Sequence, residues 1–392
     1  MSSVPIKVVR IFSRLNVGGP SLHVNLLSQE LSKNYETILV TGQVSDWEGD
    51  MSYLLESKKN FRHILIPELG RNVHFWRDFI AFWKILKLLR EEKPDIVHTH
   101  TAKAGILGRA AALIAGVPVR VHTFHGHIFS GYFGKLKTSL IILVERTLAF
   151  FTSQIVAISP RQKKELVYRY RIAKADKVSV IPLGLDLTYF GKPSVNRNEA
   201  LKKFSLPMNT YLVGIIGRLV PIKNHLFFLE VAKKIVRVRK DVHFIIVGGG
   251  ELLELLQKKV RAFQLQNDVT FLGWQRELKP IYDILDIVCL TSLNEGTPVS
   301  LIEAQACGKP IVATRVGGVE DVVFSEKNGY LTSIDDIEGF SQKVMFLLDQ
   351  PDIRDKMKQF SQTFVKTYYT KEILLKNMDC LYQKILFQRN LL

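Results

Sequence analysis

Two successive α/β domains, each a parallel sheet covered by helices on both faces, are predicted by three features of this chain. Its 392 residues exceed one ordinary α/β core and suit two. Short Val- and Ile-rich runs alternate with segments of helical length, the pattern of strands buried on both faces. The alternation stops at a polar stretch containing Pro193, Asn196, Arg197, Asn198 and Pro207, and then restarts. With 47% hydrophobic and 23% charged residues and no low-complexity run, the chain is expected to fold throughout.

In the first domain, strands are expected at Ile6–Phe12, Thr37–Thr41, Ile64–Ile66, Asp95–His98, Arg120–Phe124, Ile155–Ile158 and Val178–Ile181. The second series runs through Tyr211–Ile216, His243–Val247, Val269–Leu272, Ile287–Leu290 and Ile311–Thr314. An amphipathic helix, roughly Lys371 to Phe387, follows the last unit and needs a domain to pack on. The predicted boundaries are residues 1–190 plus 368–392 for one Rossmann-like domain and residues 205–367 for the other. A cleft is expected between them, and ligands of such sheets bind at the carboxyl ends of the strands.

Lys and Arg exceed Asp and Glu by 17, a general attraction for phosphates, nucleic acid or anionic lipid. Cys289, Cys307 and Cys380 form no C-x-x-C pair, as expected of reduced thiols in the cytosol. The chain runs from Met1 straight into a strand-like segment without the pattern of a signal peptide. Its most apolar stretch, residues 139–158, is interrupted by Glu145 and Arg146, so no transmembrane segment is expected.

Unusual residues cluster after the strands. The first strand is followed by Asn16-Val17-Gly18-Gly19-Pro20 and a helical pattern, where exposed amides would favour an anion or the glycines would serve the turn alone. Gly217-Arg218-Leu219 and Lys223-Asn224 follow the first strand of the second domain, and two cations there suit a diphosphate. Gly248-Gly249-Gly250-Glu251 ends the next strand, where a ligand or a backbone must pass close; it is not the G-x-G-x-x-G of a dehydrogenase. Glu295, in a loop, and Glu303, about one turn into a helix starting near Val299, can aim two carboxylates at hydroxyl groups.

Together these residues resemble the retaining glycosyltransferases of family 4, which have the GT-B fold. The likeness includes the E-x7-E pair Glu295 and Glu303 and the run Gly308-Lys309-Pro310-Ile311-Val312-Ala313-Thr314 with Gly317-Gly318. It is strongest over residues 211–331 and looser before residue 120. The resemblance implies two Rossmann-like domains facing a central cleft, with the C-terminal helix crossing back to the N-domain. It implies that Glu295 holds donor-sugar hydroxyls, with Gly296 and Thr297 supplying amides, and that Glu303 accepts the ribose hydroxyls. Arg218 and Lys223 would bind the diphosphate near the Gly249 turn, and Gly18 and Gly19 would close over it. His125, in Val121-His122-Thr123-Phe124-His125-Gly126-His127, matches the histidine bordering the reacting anomeric carbon, with His127 as a second candidate.

No D-x-D triplet is present, and His98, His100, His122, His125 and His127 lack the spacing of a zinc site, so no metal or other cofactor is expected. The expected co-substrates are a nucleotide-sugar donor, with UDP as the commonest nucleotide among relatives, and a lipid-linked or polysaccharide acceptor. The base would be read largely by backbone near Phe271-Leu272-Gly273-Trp274. Residues 75–90 and Tyr132-Phe133-Gly134-Lys135-Leu136-Lys137 mix aromatics with cations like interfacial helices, so peripheral attachment to an anionic inner membrane face is expected. Alternatives are a sugar-nucleotide epimerase, which needs no acceptor, and a nucleic-acid-binding protein, for which no binding module is visible.

Overall fold

The computed structural model describes residues 5–45, 49–56, 60–70, 73–126, 129, 134–191, 194–389 and 391. His127, Tyr132, Phe133 and Pro193, named above, lie outside the described residues. The chain divides into two compact units, one running through Leu185 and resuming at Lys371, the other spanning Asp186–Thr370.

The first unit holds β1 (Lys7–Arg14), β2 (Glu36–Gly42), β3 (Arg62–Leu65), β4 (Ile96–His100), β5 (Val119–Phe124), β6 (Gln154–Ala157) and β7 (Val178–Val180). They form one sheet in the order β3-β2-β1-β4-β5-β6-β7, parallel throughout. The central strands are buried on both faces, which is why they read as unbroken apolar runs. Strand order reverses at the β1/β4 junction, where a doubly wound sheet offers its ligand crevice.

The C-terminal helix, Lys371–Gln388, packs within this unit. Its Leu374, Met378, Leu381, Tyr382, Ile385 and Leu386 join Val8, Leu27, Ile96, Val119, Val121 and Val156 in one core. Each such side chain contributes about 2 kcal/mol on burial, enough to hold the helix there without specific pairs. Specific pairs exist as well: the Tyr35 hydroxyl donates to Asp379 at 2.5 Å, and His98 Nδ1 lies 2.6 Å from the Tyr382 hydroxyl. The apolar stretch around residue 145 is the helix Lys135–Phe151, and its Glu145 is buried against Arg109 at 2.6 Å. Among the described residues, no helix is long and apolar enough to cross a membrane.

The second unit holds β8 (Tyr211–Ile216), β9 (Val242–Val247), β10 (Val269–Gly273), β11 (Ile287–Leu290), β12 (Ile311–Thr314) and β13 (Gly329–Thr332), in the order β10-β9-β8-β11-β12-β13. Its switch point is at β8/β11. The polar stretch read as a break contains a short helix of this unit, Arg197–Lys203, capped by the Asn196 side chain. Arg197 ties it to the sheet by donating to Ile284 O at 2.5 Å and Asp286 Oδ2 at 3.0 Å. β13 was not visible in the sequence; it owes its extended form to pairing with β12.

Candidate active site

In the second unit the loop after β11 is built around Glu295. Its Oε1 accepts a hydrogen bond from Ser292 Oγ at 2.6 Å and forms an ion pair with Lys223 Nζ. Lys223 closes a short turn, Pro221–Lys223, whose next residue, Asn224, has φ 49° and starts the helix His225–Val238. The loop is tied to that turn, because Leu293 N donates to Ile222 O at 2.8 Å and Thr291 Oγ1 donates to Lys223 O at 3.0 Å. From the other side, Thr314 Oγ1 donates to Ser292 O at 2.6 Å.

The pair Gly317-Gly318 explains itself here. A Cβ on Gly318 would stand 1.6 Å from Gly296 O, and one on Gly317 would stand 2.1 Å from Glu295 O. Gly318 N donates to Glu295 O at 3.1 Å. Only two residues without side chains can buttress the 295–296 backbone this closely.

Glu303 lies one turn inside the helix Val299–Ala306 and is 9% exposed. Its Oε2 accepts from the Tyr282 hydroxyl at 2.8 Å. Burial pushes its carboxyl up to about 7, and the Tyr282 hydrogen bond opposes the rise. It is therefore a carboxyl poised to ionise when a second donor arrives.

The three-glycine turn after β9 serves backbone packing at two of its positions. Cβ atoms on Gly248 and Gly250 would meet Gly217 O at 2.0 Å and Leu219 O at 2.6 Å, while Gly249 meets nothing nearer than Trp274 Cβ at 3.9 Å. That packing holds Gly217–Leu219 in place, with Leu219 N donating to Gly249 O at 2.9 Å. Arg218 is half-buried in this loop.

In the first unit, Gly18 with φ 155° precedes the helix Gly19–Glu30, whose first turn holds no acid. Ser21 Oγ donates to Asn16 O at 2.5 Å and fastens the turn. His100 ends β4 and His125 follows β5; His100 Nδ1 lies 3.1 Å from His125 Nε2. Burial lowers the His125 imidazole to about 3, so the ring is neutral at physiological pH.

Of the histidines weighed as a group from the sequence, His98, His100 and His125 lie close together, and His127 is outside the described residues. His122 lies on the opposite side of the sheet from His98 and His100, 2.8 Å from Thr99 Oγ1, because side chains alternate along a strand. His98 has both ring nitrogens engaged, with Tyr382 and Thr123. His23, not singled out in the sequence, packs edge-on to His125 with ring centroids 4.8 Å apart.

Lys223 and Glu295, read separately in the sequence, are ion-paired partners in the structure. Tyr282 and Ser292, which hold the two glutamates, carried no signal, since each reaches its partner through the fold.

Residues 17–189 match the model of Glycosyltransferase Family 4, and residues 196–364 that of Glycosyl transferases group 1. A UDP-Gal:alpha-D-GlcNAc-diphosphoundecaprenol alpha-1,3-galactosyltransferase of Escherichia coli is 35% identical over 305 residues, 76% of each chain. The chain belongs to glycosyltransferase family 4. This family 4 enzyme is also 25% identical, over 86% of its length and 89% of the other's, to the capsular polysaccharide biosynthesis glycosyltransferase CapM of Staphylococcus aureus. Its fold is GT-B: the crystal structure of Anabaena HepE with UDP and glucose covers 97% of this chain and 100% of its own at TM-score 0.83 and 18% identity. Sucrose-phosphate synthase from Thermosynechococcus elongatus superposes equally well, with TM-score 0.83 and 19% identity over 98% and 100% of the two chains. These matches favour a transferase over the epimerase.

Proposed function

We propose that this enzyme transfers a sugar from a UDP-sugar, with retention of anomeric configuration and without a metal, to an acceptor carried on a lipid diphosphate at a membrane surface. The observation that carries this reading is the buttressed loop that sets Glu295 against Lys223 at the end of β11. A diphosphate entering there would draw the ammonium of Lys223 from Glu295, aided by Arg218, and so free a carboxylate for sugar hydroxyls. Gly296 and Thr297 supply amides beside it, and Glu303 takes the ribose. Neutral His125 offers its carbonyl or ring to the positive charge that develops on the sugar, while the leaving phosphate takes the acceptor proton. The donor and acceptor in the name of the Escherichia coli relative, and the UDP bound to HepE, support the choice of nucleotide and acceptor class.

The test compares UDP-, GDP- and ADP-sugars by thermal shift, then follows transfer to a polyprenol-diphosphate sugar and reads the product anomer by NMR. Saturation by the UDP-sugar, an unchanged anomeric configuration and full activity in excess chelator are expected. Glu295→Gln should lower kcat by on the order of tenfold or more with a smaller change in donor affinity, since the sugar is held most tightly as charge develops. An inverted product, or activity restored only by a divalent cation, would overturn the proposal.

Membrane attachment rests on the exposed apolar side chains of two helices more than on their lysines. The helix Phe75–Glu92 buries Ala81, Ile85, Leu86 and Leu89 and leaves Phe75, Phe79, Trp76 (66% exposed) and Trp83 (49%) in solvent. The helix Lys135–Phe151 leaves Leu136, Leu140, Leu143 and Phe150 exposed. Lys84 is paired with Glu68 at 2.6 Å and Lys87 faces Glu91 at 3.8 Å, so part of their attraction for anionic lipid is already offset. Trp76→Ser with Trp83→Ser should therefore reduce co-sedimentation with anionic vesicles by roughly tenfold, at unchanged UDP-sugar affinity. An unaltered bound fraction would remove this helix from the membrane contact.

A further inference from the structure

We propose that His23, His100 and His125 form a binding site for a borderline-soft divalent cation such as Zn2+ or Co2+, with three imidazole ligands and a fourth position left to water. The three residues come from separate elements: the helix Gly19–Glu30, the end of β4 and the turn after β5. One ring nitrogen from each lies within 4.8 Å of the others. A tetrahedral site with Zn–N of about 2.0–2.1 Å needs its ligand atoms about 3.3 Å apart. The pair His100 Nδ1 and His125 Nε2 stands at 3.1 Å already, and a side-chain movement of about 1.5 Å brings His23 into place.

The hydrogen-bond inventory points the same way. His23 is 1% exposed and neither of its ring nitrogens has a hydrogen-bond partner, and His100 Nε2 and His125 Nδ1 are likewise buried and unpaired. A buried imidazole with both nitrogens orphaned carries a desolvation cost that nothing in the packing offsets. Coordination would supply a partner to His23, while an ion held by His100 Nδ1 and His125 Nε2 leaves the other nitrogens of those two rings as they are. Desolvation by burial lowers the proton affinity of all three rings, so protons compete poorly for the lone pairs. His98, although its ring centroid is only 4.2 Å from that of His100, is excluded because Tyr382 and Thr123 occupy its nitrogens.

The donor set also selects the ion. Three imidazoles without a carboxylate suit zinc, cobalt, nickel or copper and not magnesium or calcium. One group opposes binding: the fully buried Arg10 places a positive charge close enough to bear on His23 and His100. Affinity is thereby held below that of a structural zinc centre. Because the ion would engage His125, it is distinct from a diphosphate clamp and would block the donor chemistry proposed above. Chelator-resistant transfer and inhibition by zinc are therefore compatible.

The binding test does not depend on that chemistry. Metal-stripped full-length protein is titrated with Co2+, read by visible absorption, and then with competing Zn2+. One equivalent per chain with the intense spectrum of a tetrahedral site is expected. His23→Gln and His100→Gln should each weaken binding by on the order of a hundredfold, while His243→Gln, a ring hydrogen-bonded to Thr270 in the other unit, should not. X-ray absorption of the zinc-loaded wild type needs no variant and should show three imidazoles at about 2.0 Å. No saturable binding, equal affinity in the His23 and His243 variants, or fewer than three imidazoles would each overturn the site.

Discussion

Glu303→Gln is expected to stabilise the protein above pH 7 and, at the same time, to weaken its complex with the donor. Burial raises the Glu303 carboxyl to about 7 in the folded state, against about 4.3 in an unfolded chain. Folding therefore favours the protonated form. The contribution of that form is complete below the unfolded value and is lost as pH rises through about 7. Above pH 7 the native state carries a buried carboxylate at a net cost of about 4 kcal/mol, with the Tyr282 hydrogen bond already included. Glutamine has the same shape, no charge, and a carbonyl that still accepts from Tyr282. Denaturant unfolding at pH 4 and pH 8 should show near-equal stabilities at the lower pH and a gain for the variant at the higher.

Binding should move in the opposite direction. A carboxylate can accept from both ribose hydroxyls while Tyr282 remains bound, whereas an amide has one accepting oxygen. UDP should therefore bind about tenfold more weakly to the variant at pH 8. In the wild type, affinity should rise with pH through 7, because the complex needs the ionised form; in the variant it should be flat. A wild-type affinity independent of pH would place the ribose elsewhere.

Twelve of the thirteen strands were legible because parallel strands buried on both faces read as continuous apolar runs between polar turns. β13 was not, since Gly329 and Thr332 flank only Tyr330 and Leu331, too short a run to separate from a loop. At the site, the glutamates were legible by spacing and the glycines by type, but their partners were not. Lys223 meets Glu295 across 72 residues and Tyr282 meets Glu303 across 21, and side-chain pairs at such separations leave no local pattern. Gly248 and Gly250 announced a close approach without saying to what; backbone, not ligand, is what they meet. His23 sits on a buried helix face where a sequence cannot tell a ligand from an ordinary core residue.

The largest loss of stability is expected from a residue whose charge interrupts an otherwise apolar segment. Glu145, 1% exposed, accepts from Arg109 Nη2 at 2.6 Å, and Arg109, 2% exposed, also donates from Nε to Gly105 O at 2.8 Å. Removing the acid alone, as in Glu145→Ala, leaves a guanidinium in the core that cannot deprotonate, at a cost of about 3–5 kcal/mol. The pair is nonetheless incompletely satisfied, because Arg109 Nη1 and Glu145 Oε1 have no hydrogen-bond partner. Two desolvated ions with unpaired atoms contribute little net stability over apolar groups of similar volume. The double substitution Arg109→Met with Glu145→Leu should therefore recover most of what the single variant loses. Urea unfolding of the wild type, both single variants and the double completes the cycle. A double variant as unstable as Glu145→Ala would mean that the helices Ala102–Ile114 and Lys135–Phe151 need this ion pair for their packing geometry and not merely for charge balance.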